Sequence, residues 1–184
     1  MRDDIPQLLF ESRANFREWL SKYAETNESV WLIFGKNKTV KTLKASEALE
    51  EALCFGWIDG QMLAIDDTKY IKYFTKRRPK SVWSVKNKKI VEALIEKGLM
   101  TELGYKAIEI SKENGRWFER TEESDKGMVE DFKKLLLYSP AVYDAFIKLP
   151  PSTQLAEARY YNLYKDEIKR ENALKDIIER LQTK

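Results

Sequence analysis

The run Val30-Trp31-Leu32-Ile33-Phe34 constrains the fold more than any other stretch. Five consecutive apolar residues, four of them β-branched or aromatic, are too few for a core helix, so the run predicts a short buried strand. Such a strand needs cover. Just upstream, Phe16, Trp19, Leu20 and Tyr23 recur at i, i+3, i+4 and i+7, which predicts a helix over 12–25 capped by Ser12, with one apolar face to bury. With 184 residues, 43% hydrophobic and 12% aromatic, the chain can build a core of this kind without help.

The pattern continues in both periods. Lys36–Lys44 reads as a polar loop. Ser46 and Glu47 open a helix carrying Leu49, Ala52 and Leu53, and Gly56 ends it. Two short strands, 61–65 and 69–75, follow with a reversal at Asp66-Asp67, and Arg77-Arg78-Pro79-Lys80 breaks the second. The stretch 81–84 leads into a helix with Ile90, Val91, Leu94 and Ile95 that stops at Gly98, and Thr101 opens another that ends near Asn114-Gly115. Residues 119–127, ERTEESDKG, are acidic and lack apolar side chains, which marks them as a linker.

Beyond the linker every signal is helical. Ser139-Pro140 starts a helix bearing Val142, Ala145, Phe146 and Leu149, and Pro150-Pro151 stops it. A second begins at Ser152 or Thr153 with Ala156, Tyr160 and Leu163 on one side, and a third, over 167–182, carries Leu174, Ile177, Ile178 and Leu181. The expected class is therefore α+β: residues 1–118 form a small, mostly antiparallel sheet flanked by helices, and residues 128–184 form an all-helical C-terminal unit. That second unit is small, so it is expected to dock on the first.

Composition removes many functions. Histidine is absent and Cys54 is the single cysteine, which excludes a Ser-His-Asp triad, a Cys-His dyad, a His-ligated zinc and an intrachain disulfide. The seven glycines match neither G-x-G-x-x-G nor G-x-x-x-x-G-K. No cofactor and no metal site is expected. The opening MRDDIPQLLFES lacks a signal-peptide core, no stretch has the length of a membrane span, and the lone thiol suits a reducing compartment, so the expected location is the cytoplasm.

A net charge of +3 hides a local imbalance. Residues 68–91 hold nine Lys and Arg and no acid, while the other 24 basic residues face all 30 acidic ones, a balance of −6. A cationic segment on an acidic body attracts anions. Within it, Arg77 and Arg78 precede a helix N-terminus, Ser81 and Ser84 offer hydroxyls, Trp83 offers a ring, and Asn87 lies one turn into the helix. Ser84 reads equally well as an N-cap. Trp57 and Asp59 sit between Gly56 and Gly60, where an acid beside an aromatic wall would form the mouth of a cleft; neighbouring arginines would favour Asp59 as a salt-bridge partner of Arg77 or Arg78 over a general base. Cys54, on an apolar helix with no base to activate it, reads as a buried core thiol.

The compound motif Phe55-Gly56-Trp57-Ile58-Asp59-Gly60, then Phe74-Thr75-Lys76-Arg77-Arg78-Pro79-Lys80-Ser81-Val82-Trp83-Ser84 and Asn87, then Gly98-Leu99-Met100 and Gly115-Arg116-Trp117, resembles the YdeI/OmpD-associated (OmdA-like) family of bacterial proteins. Glu171-Asn172-Ala173 stands where that family's tail commonly reads Glu-Thr-Arg. The family name implies a link to bacteriocin protection or an outer-membrane porin, the resemblance brings no reaction, substrate or catalytic residue, and a role in bacteriocin or stress protection is the expectation. The sequence thus points to a protein that binds a small anionic ligand between Trp57, Asp59, Arg77, Arg78, Ser81, Trp83, Ser84 and Asn87. The alternatives are a nucleic-acid-binding module using segment 68–91, disfavoured by the acidic remainder, and an enzyme acting on an anionic small molecule. No protein partner is indicated.

Overall fold

The computed structural model describes residues 5–37 and 40–182. The chain is an α+β protein that divides into two compact units, Met1–Glu119 and Arg120–Lys184. The first contains β1 (Gln7–Leu9), α1 (Arg13–Tyr23), β2 (Ser29–Gly35), α2 (Ala45–Cys54), β3 (Trp57–Ala64), β4 (Lys69–Lys76), α3 (Val85–Glu96) and α4 (Glu102–Glu113). The second contains α5 (Glu122–Leu136), α6 (Pro140–Ile147), α7 (Pro151–Asn162) and α8 (Glu167–Gln182). Residues 38 and 39 of the expected 36–44 loop lie outside the described residues.

The apolar run does become a central strand. The sheet order is β1-β2-β4-β3, so β2 is hydrogen-bonded on both sides, parallel to β1 and antiparallel to β4. Val30, Leu32 and Phe34 alternate onto the face that meets Phe16 and Leu20 of α1, Ala52 and Leu53 of α2 and Val91 and Leu94 of α3 in one buried cluster. Phe74, the cross-strand partner of Val30, joins them edge-on to Phe16 at 5.9 Å between ring centres. Burying each such side chain contributes about 1.5–3 kcal/mol.

β1 is absent from the sequence reading because three residues with an exposed-intermediate-exposed pattern carry no periodic signal. The β3–β4 hairpin is present but longer than expected: β3 begins at Trp57, and a bulge between Asp59 and Met62 absorbs one extra residue. Its turn is fastened by Asp66, whose Oδ1 accepts from the Thr68 N–H and hydroxyl, both at 2.7 Å, and from the Lys69 N–H at 2.8 Å.

Against the linker expectation, Glu122–Gly127 forms the first turns of α5. Thr121 and Ser124 make a reciprocal capping box, and Glu122, Glu123 and Asp125 lie at the positive end of the helix dipole, so acidity that suggests a solvated connection here favours a helix start. Unit two has its own core of Phe132, Leu136, Val142, Phe146, Ala158 and Ile177. On α7 the buried residue is Ala158, whereas Ala156 and Leu163, expected on the packed side, are exposed.

Inside unit one, Glu51 is almost fully buried and is held by Arg13 and, at 2.7 Å, by Arg17, whose Nη2 also donates to the Leu99 carbonyl at 2.8 Å. A carboxylate so placed survives only because both guanidiniums accompany it.

Two outcomes test this description. Gly104 of α4 packs on the Cys54 carbonyl, with which any Cβ would collide. Gly104→Ala is therefore expected to lower stability by about 1–3 kcal/mol in urea unfolding, in spite of alanine's better helix propensity. The hydrogen bonds to Asp66 hold its carboxyl at about 2, below the ordinary value, so its contribution is present above about pH 4 and is lost as pH falls toward 2. Acid titration of Asp66→Asn should show a shallower loss of stability through that window than the parent protein; equal slopes would refute the assignment.

Candidate functional site

The site is built outward from the turn that ends α2. The Phe55 N–H donates to the Ala52 carbonyl at 3.1 Å and the Gly56 N–H to Leu53 at 3.2 Å, closing the helix with Gly56 at φ +72°. Only glycine adopts that left-handed backbone without strain. A side chain there is also blocked, since a Cβ would stand 2.8 Å from the Leu103 carbonyl oxygen and 3.2 Å from the Ala107 methyl. From the other side, Thr101 donates its N–H (3.2 Å) and hydroxyl (2.6 Å) to the Cys54 carbonyl, which anchors the start of α4. The Gly56 carbonyl accepts the Arg77 N–H at 2.9 Å. One turn thereby sets how far the end of β4 stands from α4.

Arg77 occupies that gap. Its guanidinium lies over the Trp83 indole, 3.8 Å from the ring centre, and Nη2 donates to the Val82 carbonyl at 3.0 Å. Nε is enclosed and has no hydrogen-bond partner, and no carboxylate of the described residues forms an ion pair with the group. Burial pushes its pKa down to about 10, opposed by the charge of Asp59, so it remains a cation at neutral pH. Arg78, next in the chain, is exposed and its side chain has no partner among the described residues. Its N–H donates to Ser81 Oγ at 3.1 Å, the Ser81 N–H returns a bond to its carbonyl at 2.8 Å, and Asn114 Nδ2 ties the Pro79 carbonyl to the end of α4 at 2.6 Å.

Two hollows share Arg77, Ala107 and Ile110 as walls. The wider, about 280 Å³, is a mostly apolar cleft between Phe55 and Gly56 on one side and Leu103, Ala107 and Ile110 on the other, with Glu25, Lys76 and Lys106 at its edge. The smaller, about 30 Å³, is closed by Arg78, Pro79, Trp83 and Ser111. Ser111 is 3% exposed and its Oγ has no partner. Two of the residues around the small pocket thus carry buried polar atoms, Arg77 Nε and Ser111 Oγ, that the protein leaves unsatisfied, each at a cost of about 1–3 kcal/mol.

The structure redistributes the residues singled out from sequence. Arg77, Arg78 and Trp83 do meet at one place. Trp57 is among the residues around the wider cleft, but its ring is fully buried in β3 and donates Nε1 to the Ala24 carbonyl at 3.1 Å, so it backs the cleft and does not stand at its mouth. Asp59 pairs with Lys72 rather than with Arg77 or Arg78, because the register places it opposite Phe74 and diagonal to Lys72 on one face of the sheet. Ser81 serves the Arg78 turn, and Ser84 caps α3 by accepting the Asn87 N–H at 3.2 Å. Neither hydroxyl nor Asn87 lines the hollows. Ser111, Lys106 and the apolar wall of α4 escaped the sequence reading; the available signal was Leu103, Ala107 and Ile110 at i, i+4 and i+7 with a serine beside them, a pattern any packed helix shares.

Four of the nine basic residues of segment 68–91 are visibly committed. Lys69, Lys72 and Lys76 pair with Asp66, Asp59 and Glu28, and Lys88 donates to the Trp117 carbonyl at 2.8 Å. Arg77, Arg78 and Lys106 form no ion pair among the described residues, and they converge on the two hollows. No group of three metal-ligating side chains occurs among the described residues, and none of their helices is long and apolar enough to cross a membrane.

This α+β unit with its cationic cleft is the part of the chain that a family model recognises. The model of a domain of unknown function, DUF8412, matches residues 8–107, and the chain belongs to that family. Its description assigns no function and makes no connection to the YdeI/OmdA proteins. The matched segment includes the Gly56 turn, Arg77, Arg78 and the first half of α4, and it ends four residues before Ser111. No curated protein and no solved structure matches the chain.

Cys54 is buried one residue from this turn, and desolvation pushes its thiol up, outweighing the hydrogen bond of Arg17. A thiol reagent at pH 8 is expected to leave the native protein unlabelled and to label one site per chain in denaturant. Stoichiometric labelling of the native state would refute the burial.

Proposed function

We propose that the protein binds a small anionic compound in the cleft between the Gly56 turn, Arg77 and α4. One observation carries the reading: a half-buried guanidinium, stacked on Trp83 and without a carboxylate partner among the described residues, keeps an unsatisfied N–H at the wall of a pocket that Ser111, whose hydroxyl is also unsatisfied, helps to line. Buried charges in proteins are ordinarily paired, and an anion from solution is what would complete this one. Arg78 and Lys106 at the rim raise the local concentration of such a ligand.

Binding is favoured over catalysis because Asp59, the acid the sequence offered for proton transfer, is engaged by Lys72. A small ligand is favoured over a nucleic acid because Lys69, Lys72 and Lys76 of the basic segment are paired with carboxylates, while Arg77 and Arg78 meet at one hollow.

Calorimetric titration and thermal unfolding with acetate, succinate, phosphate and sulfate at constant ionic strength test the reading. At least one anion is expected to raise the unfolding midpoint, a ligand at ~100 times its Kd adding about 2.7 kcal/mol. Arg77→Gln should abolish the effect, and Arg78→Ala should weaken it several-fold without unfolding the protein, since Arg78 is exposed. A panel without effect, or an effect that survives Arg77→Gln, overturns the proposal.

A further inference from the structure

Building on the anion reading of the same cleft, we infer that the ligand is a monocarboxylate with an apolar body, its carboxylate seated on Arg77 and Ser111 and its body lying along Leu103, Ala107 and Ile110.

The size of the inner pocket sets the head group. At about 30 Å³ the inner pocket favours a small head group. A planar head group with two oxygens asks less of that space than a tetrahedral phosphoryl group with three terminal oxygens. The chemistry of the walls agrees. The free Nε–H of Arg77 and the Oγ–H of Ser111 can both donate, and a carboxylate is a pure acceptor that satisfies two donors at once. The indole of Trp83 covers one face of the guanidinium, so a planar acceptor meets the group at its edge.

Charge balance points the same way. One half-buried cation, Arg77, forms the inner wall, while Arg78 and Lys106 are exposed and hydrated. A single negative charge neutralises the inner site, whereas a second would be desolvated without a buried partner. Next to this head-group pocket, the 280 Å³ cleft offers Phe55, Leu103, Ala107 and Ile110. A bare inorganic anion leaves that surface wet; an aliphatic or aromatic body covers it at about 25 cal/mol per Å² of apolar surface removed from water.

Ser111 gives the inference a readout of its own. A buried hydroxyl without a partner contributes nothing to the free protein, so Ser111→Ala should leave the ligand-free unfolding midpoint unchanged or raise it, while costing carboxylate affinity roughly tenfold, the loss of one hydrogen bond to a charged group.

Hexanoate, hexyl phosphate and hexanol, titrated into the full chain by calorimetry, separate the outcomes. The inference requires hexanoate to bind more tightly than acetate and at least about tenfold more tightly than hexyl phosphate and hexanol, with the signal lost in Arg77→Gln and weakened in Ser111→Ala. Equal or tighter binding of hexyl phosphate through Arg77 overturns the monocarboxylate and leaves the anion reading standing. So does acetate binding as tightly as hexanoate. Hexanol binding as well as hexanoate, or no binding by any anion, removes both readings. A fall in the ligand-free midpoint of Ser111→Ala, or hexanoate affinity unchanged in that variant, assigns Ser111 a structural role and overturns its part in the site.

Discussion

A helix that ends against another helix has to bring two backbones within van der Waals contact, and here the constraint falls on the peptide groups of Cys54 and Gly56. The Cys54 carbonyl is clasped by Thr101, and the Gly56 carbonyl holds the Arg77 N–H. Neither arrangement tolerates a side chain at Gly56 or at Gly104, which face the opposing backbone. The separation of β4 from α4, and with it the shape of the cleft, is therefore a property of main-chain geometry with little dependence on the side chains that line it. That leaves Phe55, Leu103, Ala107 and Ile110 free to define what lies in the cleft while the frame stays put.

The positioning of Arg77 illustrates how such a frame handles a buried charge. Three of the five arginines described in unit one are matched: Arg13 and Arg17 share Glu51, and Arg116 meets Glu119. Arg77 instead rests on an aromatic face, a contact worth up to about 2 kcal/mol where it is desolvated. This keeps the guanidinium in one orientation without neutralising it. A carboxylate partner from the protein would have held it equally well and occupied the donors that the cleft needs.

Much of this architecture was legible in the residues. The apolar run at 30–34, the helical stripes and the glycine stops located six of the eight elements of unit one closely, because burial and capping act locally and leave a periodic trace. β1 and the true start of β3 were illegible: β1 is formed by pairing with β2, and the Trp57–Gly60 stretch is drawn into the sheet by its partner Phe74-Thr75-Lys76. The pairing of Arg77, Arg78 and Trp83 could be seen because they adjoin in sequence. Ser111 could not, since it reaches Arg77 only through the fold, and Asp59 found Lys72 through a register that charge counting does not predict. The acidic 119–127 stretch misled for a related reason, as carboxylates suit both solvated connections and helix N-termini.

The bulge in β3 also bears on how the protein behaves in a crowded solution. β3 and β1 form the two borders of the sheet, and an open border of unpaired backbone groups invites the same border of another molecule to join it. β1 offers only three residues, too few to template an added strand, and β3 is interrupted midway, where Gly60, Gln61 and Met62 are exposed and the hydrogen-bonding row loses its even spacing. The irregularity that follows Asp59 thus acts as protection against runaway strand addition, and a version of the hairpin with the extra residue deleted would regain a straight, pairing-competent margin.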